Sequence, residues 1–344
     1  MDFSKIWNSW SDAESFSGVF SVSGEHGVIY EKCCGFRNRS ENLLINSDTA
    51  FGIASGTKMF TGIAVCKLID DKRLSLMDRL WDVLPYDLGQ IDKRVNIFHL
   101  LTHTSGIGDY IDEETENSME QLQSLYEQYP VYLWERLDYY LQMITPLQPK
   151  FEPGTRYGYS NAGFIMLGLV IEAISGISYQ QFVHDTIIAP CKLEHTGYYR
   201  MDSLPANTAY GYMQDDDTGL WQTNIFNLPI LGGSDGGLFT CAKDLDRLWR
   251  AIFSNEILSA YMTLSFLKSQ ISMREDGEHS DCYGLGVYVK NKADSSSIYY
   301  AVGGDFGVEF FTAYFPNKRI VASALANTEI SAFSLLKALF SCVD

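Results

Sequence analysis

Phe51-Gly-Ile-Ala-Ser-Gly-Thr-Lys-Met-Phe60, continuing as Thr61-Gly-Ile-Ala-Val-Cys-Lys-Leu-Ile69, reads as a turn that launches an amphipathic helix. Phe60, Ile63, Ala64 and Leu68 recur at helical spacing and mark the face that such a helix buries. Ser55 stands at its start, and Lys58 follows three residues on, hence on the same side. A hydroxyl at a helix N-terminus with an amine one turn away is an arrangement for an activated nucleophile. The free N–H groups and the positive dipole end there favour developing negative charge. Spacing alone selects nothing, because Ser265–Lys268 and Ser334–Lys337 repeat it, and a helix cap beside a solvated lysine accounts for any one of the three.

Outward from this stretch the chain changes character twice. Phe16-Ser-Gly-Val-Phe-Ser-Val22 and Gly27-Val-Ile-Tyr-Glu-Lys-Cys33 are β-prone runs joined by a turn signal, a predicted hairpin. Val95 to Ile107 reads as a helix closed by Gly106, and further helices are expected at about 118–144 and 162–175, with Pro146, Pro149 and Pro153 between them. Tyr283–Lys290, Ser297–Val302, Val308–Phe315 and Arg319–Leu325 are four more β runs, and an amphipathic helix is expected over about 329–341. Strands at both ends with helices between predict an α/β (α+β) fold: an antiparallel sheet built from residues 1–70 and 240–344 and flanked by helices, interrupted by a mostly helical domain over 71–239. The cleft between the two is the expected site.

Composition narrows the function. With 344 residues, 46% hydrophobic and 20% charged, the chain can bury a sizeable core. A net charge of −17 opposes binding to a phosphate backbone, so no nucleic-acid partner is expected. No run has the roughly 18–20 uninterrupted apolar residues of a membrane span. The first residues lack a basic segment followed by an apolar one, so no signal peptide is visible and a cytoplasmic location is expected. The seven cysteines are scattered and read as free thiols, and neither they nor the histidines show metal-ligand spacing. The run 109–127 is acidic, and reads as a solvated face or, as the weaker option, a lid that biases the site's field against anions.

The second informative stretch is Phe151-Glu-Pro-Gly-Thr-Arg-Tyr-Gly-Tyr-Ser-Asn161, a loop that leads into an apolar helix. Near a cation, Tyr159 can have a lowered pKa and act as a base, while Asn161 can orient an amine or a carbonyl. Ser55-Gly-Thr-Lys58 and Tyr159-Ser-Asn161, taken together, resemble the first two boxes of the serine β-lactamase and penicillin-binding-protein superfamily, in its branch of class C β-lactamases, D-alanyl-D-alanine carboxypeptidases and esterases. Leu100-Leu-Thr-His-Thr-Ser-Gly-Ile107, Glu152-Pro-Gly-Thr and Asp235-Gly-Gly-Leu-Phe-Thr with Asp244-Leu look like further family segments in the family's order.

The resemblance implies a serine hydrolase acting through an acyl-enzyme on a small-molecule or peptide substrate, with Ser55 as nucleophile, Lys58 and Tyr159 sharing its proton, Asn161 orienting, and no metal or organic cofactor. The third box departs from the family's Lys-Thr-Gly: the fitting position is Val302-Gly-Gly-Asp305. Gly304 and Asp305 are then the candidates on the strand that holds the oxyanion, and the cation that reads a substrate carboxylate is gone. Neutral or amine-bearing esters and amides are therefore expected over carboxylate-ended substrates. The alternative is a weak relative that binds a ligand or partner without efficient turnover. His195-Thr-Gly197 follows a helix and is rejected as the third box. Gly232-Gly-Ser-Asp-Gly236 matches a nucleophile elbow but has Pro229 where a central strand is needed, so it reads as a glycine-rich loop.

Overall fold

The β-prone runs of the two ends meet in one antiparallel sheet of eight strands in a computed structural model that describes residues 2–113, 118–275, 279–329 and 332–342. The strands are β1 (Gly18–Gly24), β2 (Gly27–Cys34), β3 (Ile271–Glu275), β4 (His279–Tyr283), β5 (Tyr288–Lys292), β6 (Ser297–Asp305), β7 (Val308–Phe315) and β8 (Ile320–Ala326). Their spatial order is β2-β1-β8-β7-β6-β5-β4-β3, so β1 is inserted beside β8, with Gly18 opposite Ala326. The sheet is thus made from both ends of the chain, as expected.

Helices α1 (Phe3–Ser9) and α5 (Ala332–Cys342) cover one face, where Trp7, Trp10, Phe20, Phe311 and Leu336 form one cluster. Trp10 Nε1 donates to Ser334 Oγ at 2.7 Å, so the serine of the last Ser-x-x-Lys match serves packing. The other face receives α4 (Ala242–Phe253), whose Leu245, Leu248, Trp249 and Ile252 fall on one stripe at helical spacing. With both faces covered, β1 and β8 are buried along their length and read as continuous apolar-and-small runs.

Helix α2 (Thr57–Asp70) carries the opening stretch. It is not amphipathic as expected: every residue from Thr57 to Cys66 is buried, because the helix runs between α3 (Asn161–Ser175), the helices Tyr179–Val183 and Ala260–Leu267, and the Gly284–Gly286 turn. Gly62 permits that turn's approach, since a Cβ there would lie 2.2 Å from the Leu285 carbonyl oxygen.

Three other expectations are corrected. The helix from Val95 spans only Ile97–Leu101; His103 adopts φ 56° and Gly106 φ 65°, which turn the chain out of the helix. The helix expected at 118–144 breaks at Pro130 into Ser118–Gln128 and short turns at Val131–Leu133 and Leu137–Ile144. The sheet also gains the edge hairpin β3–β4, and Tyr283 closes β4 instead of opening β5. The last helix begins at Ala332, and residues 330–331 of its expected start lie outside the described ones, as do 114–117 of the acidic run. Among the described residues, no single helix is long and apolar enough to cross a membrane.

Candidate active site

Ser55 stands in a single 3-10 turn, Ala54–Gly56, that feeds directly into α2. Ala54 before it has φ 44°, a conformation unfavourable for a residue with a side chain and stored here beside the candidate nucleophile. One turn on, Lys58 is 3% exposed, and its Nζ has three oxygen partners: Ser55 Oγ at 2.9 Å, Asn161 Oδ1 at 2.7 Å and the Asp235 carbonyl at 2.7 Å. Burial holds this amine below its ordinary pKa, while the carboxylates of Asp235, Glu113, Asp109 and Asp305 pull the other way. Two of the three partners are carbonyl oxygens that only accept. Only the Ser55 hydroxyl can exchange roles, so a Lys58 that loses a proton turns its lone pair toward Ser55 Oγ.

Asn161 opens α3, where Ser160 Oγ caps the helix by accepting from Gly163 N at 3.0 Å. Asp109 adds a second cap from another segment, accepting from Asn161 N at 2.7 Å and Ala162 N at 3.1 Å. Burial pushes its carboxyl up to about 6. Asn161 Nδ2 donates to Glu113 Oε1 at 2.8 Å, which leaves Asn161 Oδ1 pointed at Lys58. Asp109 and Glu113 therefore also reach the site, while Glu113 keeps the exposed side chain of a solvated face.

Tyr159 lines the same cavity as Ser55, and the neighbouring serine favours its phenolate slightly. Lys58 Nζ lies 5.0 Å from its ring centroid, yet burial dominates and holds the phenol well above its usual range. The expected lowering of the Tyr159 pKa is thereby reversed: a half-buried phenolate at the cavity wall loses more hydration than one neighbouring amine returns. Ser55, Tyr159, Asn161, Gly304 and Asp305 all line one cavity of about 890 Å³, together with Tyr110, Tyr157, Tyr288 and the Gly232–Gly237 loop.

The family described as Beta-lactamase matches residues 11–339. The chain belongs to that family. A penicillin-binding protein of Bacillus halodurans is 36% identical, with a TM-score of 0.90 over 99% of this chain and 100% of that one. A penicillin-binding protein of Bacillus subtilis (strain 168) is 25% identical over 336 residues, 94% of this chain and 71% of the relative. Protein flp of Staphylococcus aureus (strain MW2) is 27% identical over 58% of this chain, which spans 38% of that relative's length. A D-amino acid amidase from Ochrobactrum anthropi SV3 shares the fold, with a TM-score of 0.76 at 17% identity over 99% of each chain. Family membership supports hydrolase chemistry through an acyl-enzyme on small substrates.

Against this Beta-lactamase-family background, the third-box strand stands out. Val302 packs on the α1–α5 cluster while also bordering the cavity. Gly303 presses against the Ser55 turn: a Cβ there would lie 2.2 Å from Ile53 O and 2.9 Å from both Ser55 N and Gly56 N. The pairing of β5 with β6 ends at Tyr288 opposite Tyr300, which leaves the rest of the β6 edge to the cavity. Asp305 is solvent-exposed at the cavity, where partial loss of hydration, with Asp235 and Glu113 adding repulsion, raises its carboxyl toward about 7. No lysine, arginine or histidine lines the cavity among the described residues.

The rejected motifs are accounted for. Thr196 Oγ1 and His195 N bind Asp244 at 2.7 Å each and tie that segment to α4. Gly232–Gly236 is a loop, and the next helix starts only at Ala242. Ser265 Oγ donates to the Tyr261 carbonyl at 3.0 Å. Sequence reasoning missed the Asp235 carbonyl, Tyr110 (whose hydroxyl donates to Asp235 Oδ2), Glu113 and Tyr288. The acidic run was the one available signal, and it pointed at Asp109 and Glu113.

Proposed function

We propose that this chain is a serine hydrolase whose nucleophile is Ser55 and whose base is Lys58. The observation that carries this reading is the triple coordination of Lys58 Nζ, in which only Ser55 can reverse its hydrogen bond. Ser55 Oγ passes its proton to neutral Lys58 as the Oγ–carbon bond forms. The backbone N–H groups of Ser55 and Asp305 hold the oxyanion. Collapse of the tetrahedral intermediate breaks the bond to the leaving group, which takes a proton from Lys58 through the Tyr159 phenol, and water then releases the acyl group. Tyr159 acts as a proton donor here, in keeping with its raised pKa.

The test is intact-mass detection of acylation by a p-nitrophenyl ester, a penicillin and a D-amino-acid peptide. An adduct or turnover absent from Ser55→Ala supports the reading; labelling that persists in Ser55→Ala removes Ser55 as nucleophile. An adduct that forms and then stays would favour the second reading, a slow-turnover binder, for which the missing third-box cation speaks.

The substrate class follows from Glu113, Asp235 and Asp305 around Ser55: neutral or cationic esters and amides, with carboxylate-ended ones repelled. Asp305 gains charge as pH rises through about 7. A p-nitrophenyl ester bearing a trimethylammonium group, whose charge does not titrate, should therefore gain about two- to threefold in kcat/KM over its neutral tert-butyl isostere between pH 6 and 8, solvent screening at the exposed Asp305 keeping the gain small. Asp305→Asn should flatten that rise, and an unchanged rise in the variant would detach the effect from Asp305.

A further inference from the structure

The segment Leu100–Ile107 has no role in the chemistry above, yet its His103 is fully buried beneath the site. The His103 carbonyl accepts from Gly158 N at 2.8 Å, and its Nδ1 accepts from Ser160 N at 3.1 Å. One residue thus holds the backbone on both sides of Tyr159. Its ring also lies against the Tyr159 ring, with centroids 4.5 Å apart, and against Tyr283 at 4.7 Å and Phe164 at 5.0 Å. Because Nδ1 accepts, the proton sits on Nε2, which has no polar partner and is enclosed with these rings. The backbone of His103 is left-handed, and the turn is anchored further where Gly154 N donates to the Thr104 carbonyl at 2.8 Å.

We infer that His103 is a positioning residue that fixes the Tyr159 phenol against Ser55, through an acceptor at Nδ1 and a carbonyl that together clamp residues 158–160. The inference rests on the proposed role of Tyr159. An imidazole that only filled space would not place its acceptor on the amide that follows the phenol, and a buried amide N–H left without an acceptor moves to find one. A displacement of about 1 Å at a catalytic group costs on the order of 100-fold in rate.

The experiment compares His103→Asn with His103→Gln. Asn sets an amide oxygen near the place of Nδ1 and tolerates the left-handed backbone; Gln extends its oxygen toward the place of Nε2 and leaves Ser160 N bare. Ester turnover at a temperature where all variants are folded should show kcat of His103→Gln reduced about 100-fold with KM within threefold, and His103→Asn within about tenfold of wild type. Equal kcat in the two variants, or a loss confined to KM, overturns the inference. Fluorotyrosine placed at position 159 gives a second readout that needs no turnover: one sharp 19F line in wild type and His103→Asn, a broadened or split line in His103→Gln. A sharp line in all three overturns the inference as well. If wild type forms no adduct with the ester, the functional reading fails, and the 19F lines still decide on His103.

Discussion

Replacing Lys58 with methionine lowers the rate of Ser55 acylation by about 1,000-fold, the loss expected when a positioned base is removed. Methionine fills a similar volume, so the helix keeps its packing, but Asn161 Oδ1 and the Asp235 carbonyl lose their donor and Ser55 loses its proton acceptor. The pH profile provides the sign. Burial holds the Lys58 amine below its ordinary range, and on the proposed mechanism the neutral form is the one that accepts the proton. Wild-type kcat/KM should therefore rise with pH and level off once Lys58 has lost its proton, at a pH below that of a free lysine. In Lys58→Met that limb should vanish. Stopped-flow measurement of the acylation burst checks both; a variant that keeps the limb would assign the base elsewhere.

Restoring the family's hydroxyl at the third box should inactivate the protein. Gly303→Thr puts a Cβ into a space that ends at the Ile53 carbonyl, where 2.2 Å is available, and at the amides of Ser55 and Gly56, where 2.9 Å is available. All three obstacles are backbone, so relief requires β6 to move away from the turn that presents Ser55. The strand edge and the nucleophile then separate, and kcat/KM should fall by about 100-fold or more, with about 1–3 kcal/mol of overpacking visible in urea denaturation. Steady-state kinetics on one neutral and one carboxylate-ended ester decide the matter. A Gly303→Thr variant that gained activity toward the carboxylate substrate would show that the strand has room and that its glycine is only a lost hydroxyl.

What could be read in advance depended on whether the signal was local. Ser55 and Lys58 lie one turn apart, and Tyr159 and Asn161 lie two residues apart, so two short stretches carried four side chains that the fold brings together, three on the cavity wall and Lys58 buried behind them. β7 and β8 were legible because both faces are covered and the runs are apolar or small apart from Glu309 and Thr312. The β3–β4 hairpin was not: at the sheet's edge, Arg274 and Asp281 oppose each other across the pair and dilute the apolar signal. The direction of the Tyr159 shift was also out of reach, because it depends on how completely the loop is enclosed. His103 was visible only as part of a motif, since its bonds to Gly158 and Ser160 cross more than fifty positions of chain.

The insertion of β1 beside β8 has a consequence for how the protein comes into being. Ser23 pairs with Val321 and Gly18 with Ala326, so a central ladder of the sheet cannot close until nearly all of the described chain has left the ribosome. The Ser55 turn and α2 are synthesised early, but β6, the strand they must face, is among the last segments to emerge. With Ser55 as the proposed nucleophile, its reactivity would be withheld from the nascent chain: before β6 docks, the serine lacks one wall of its site.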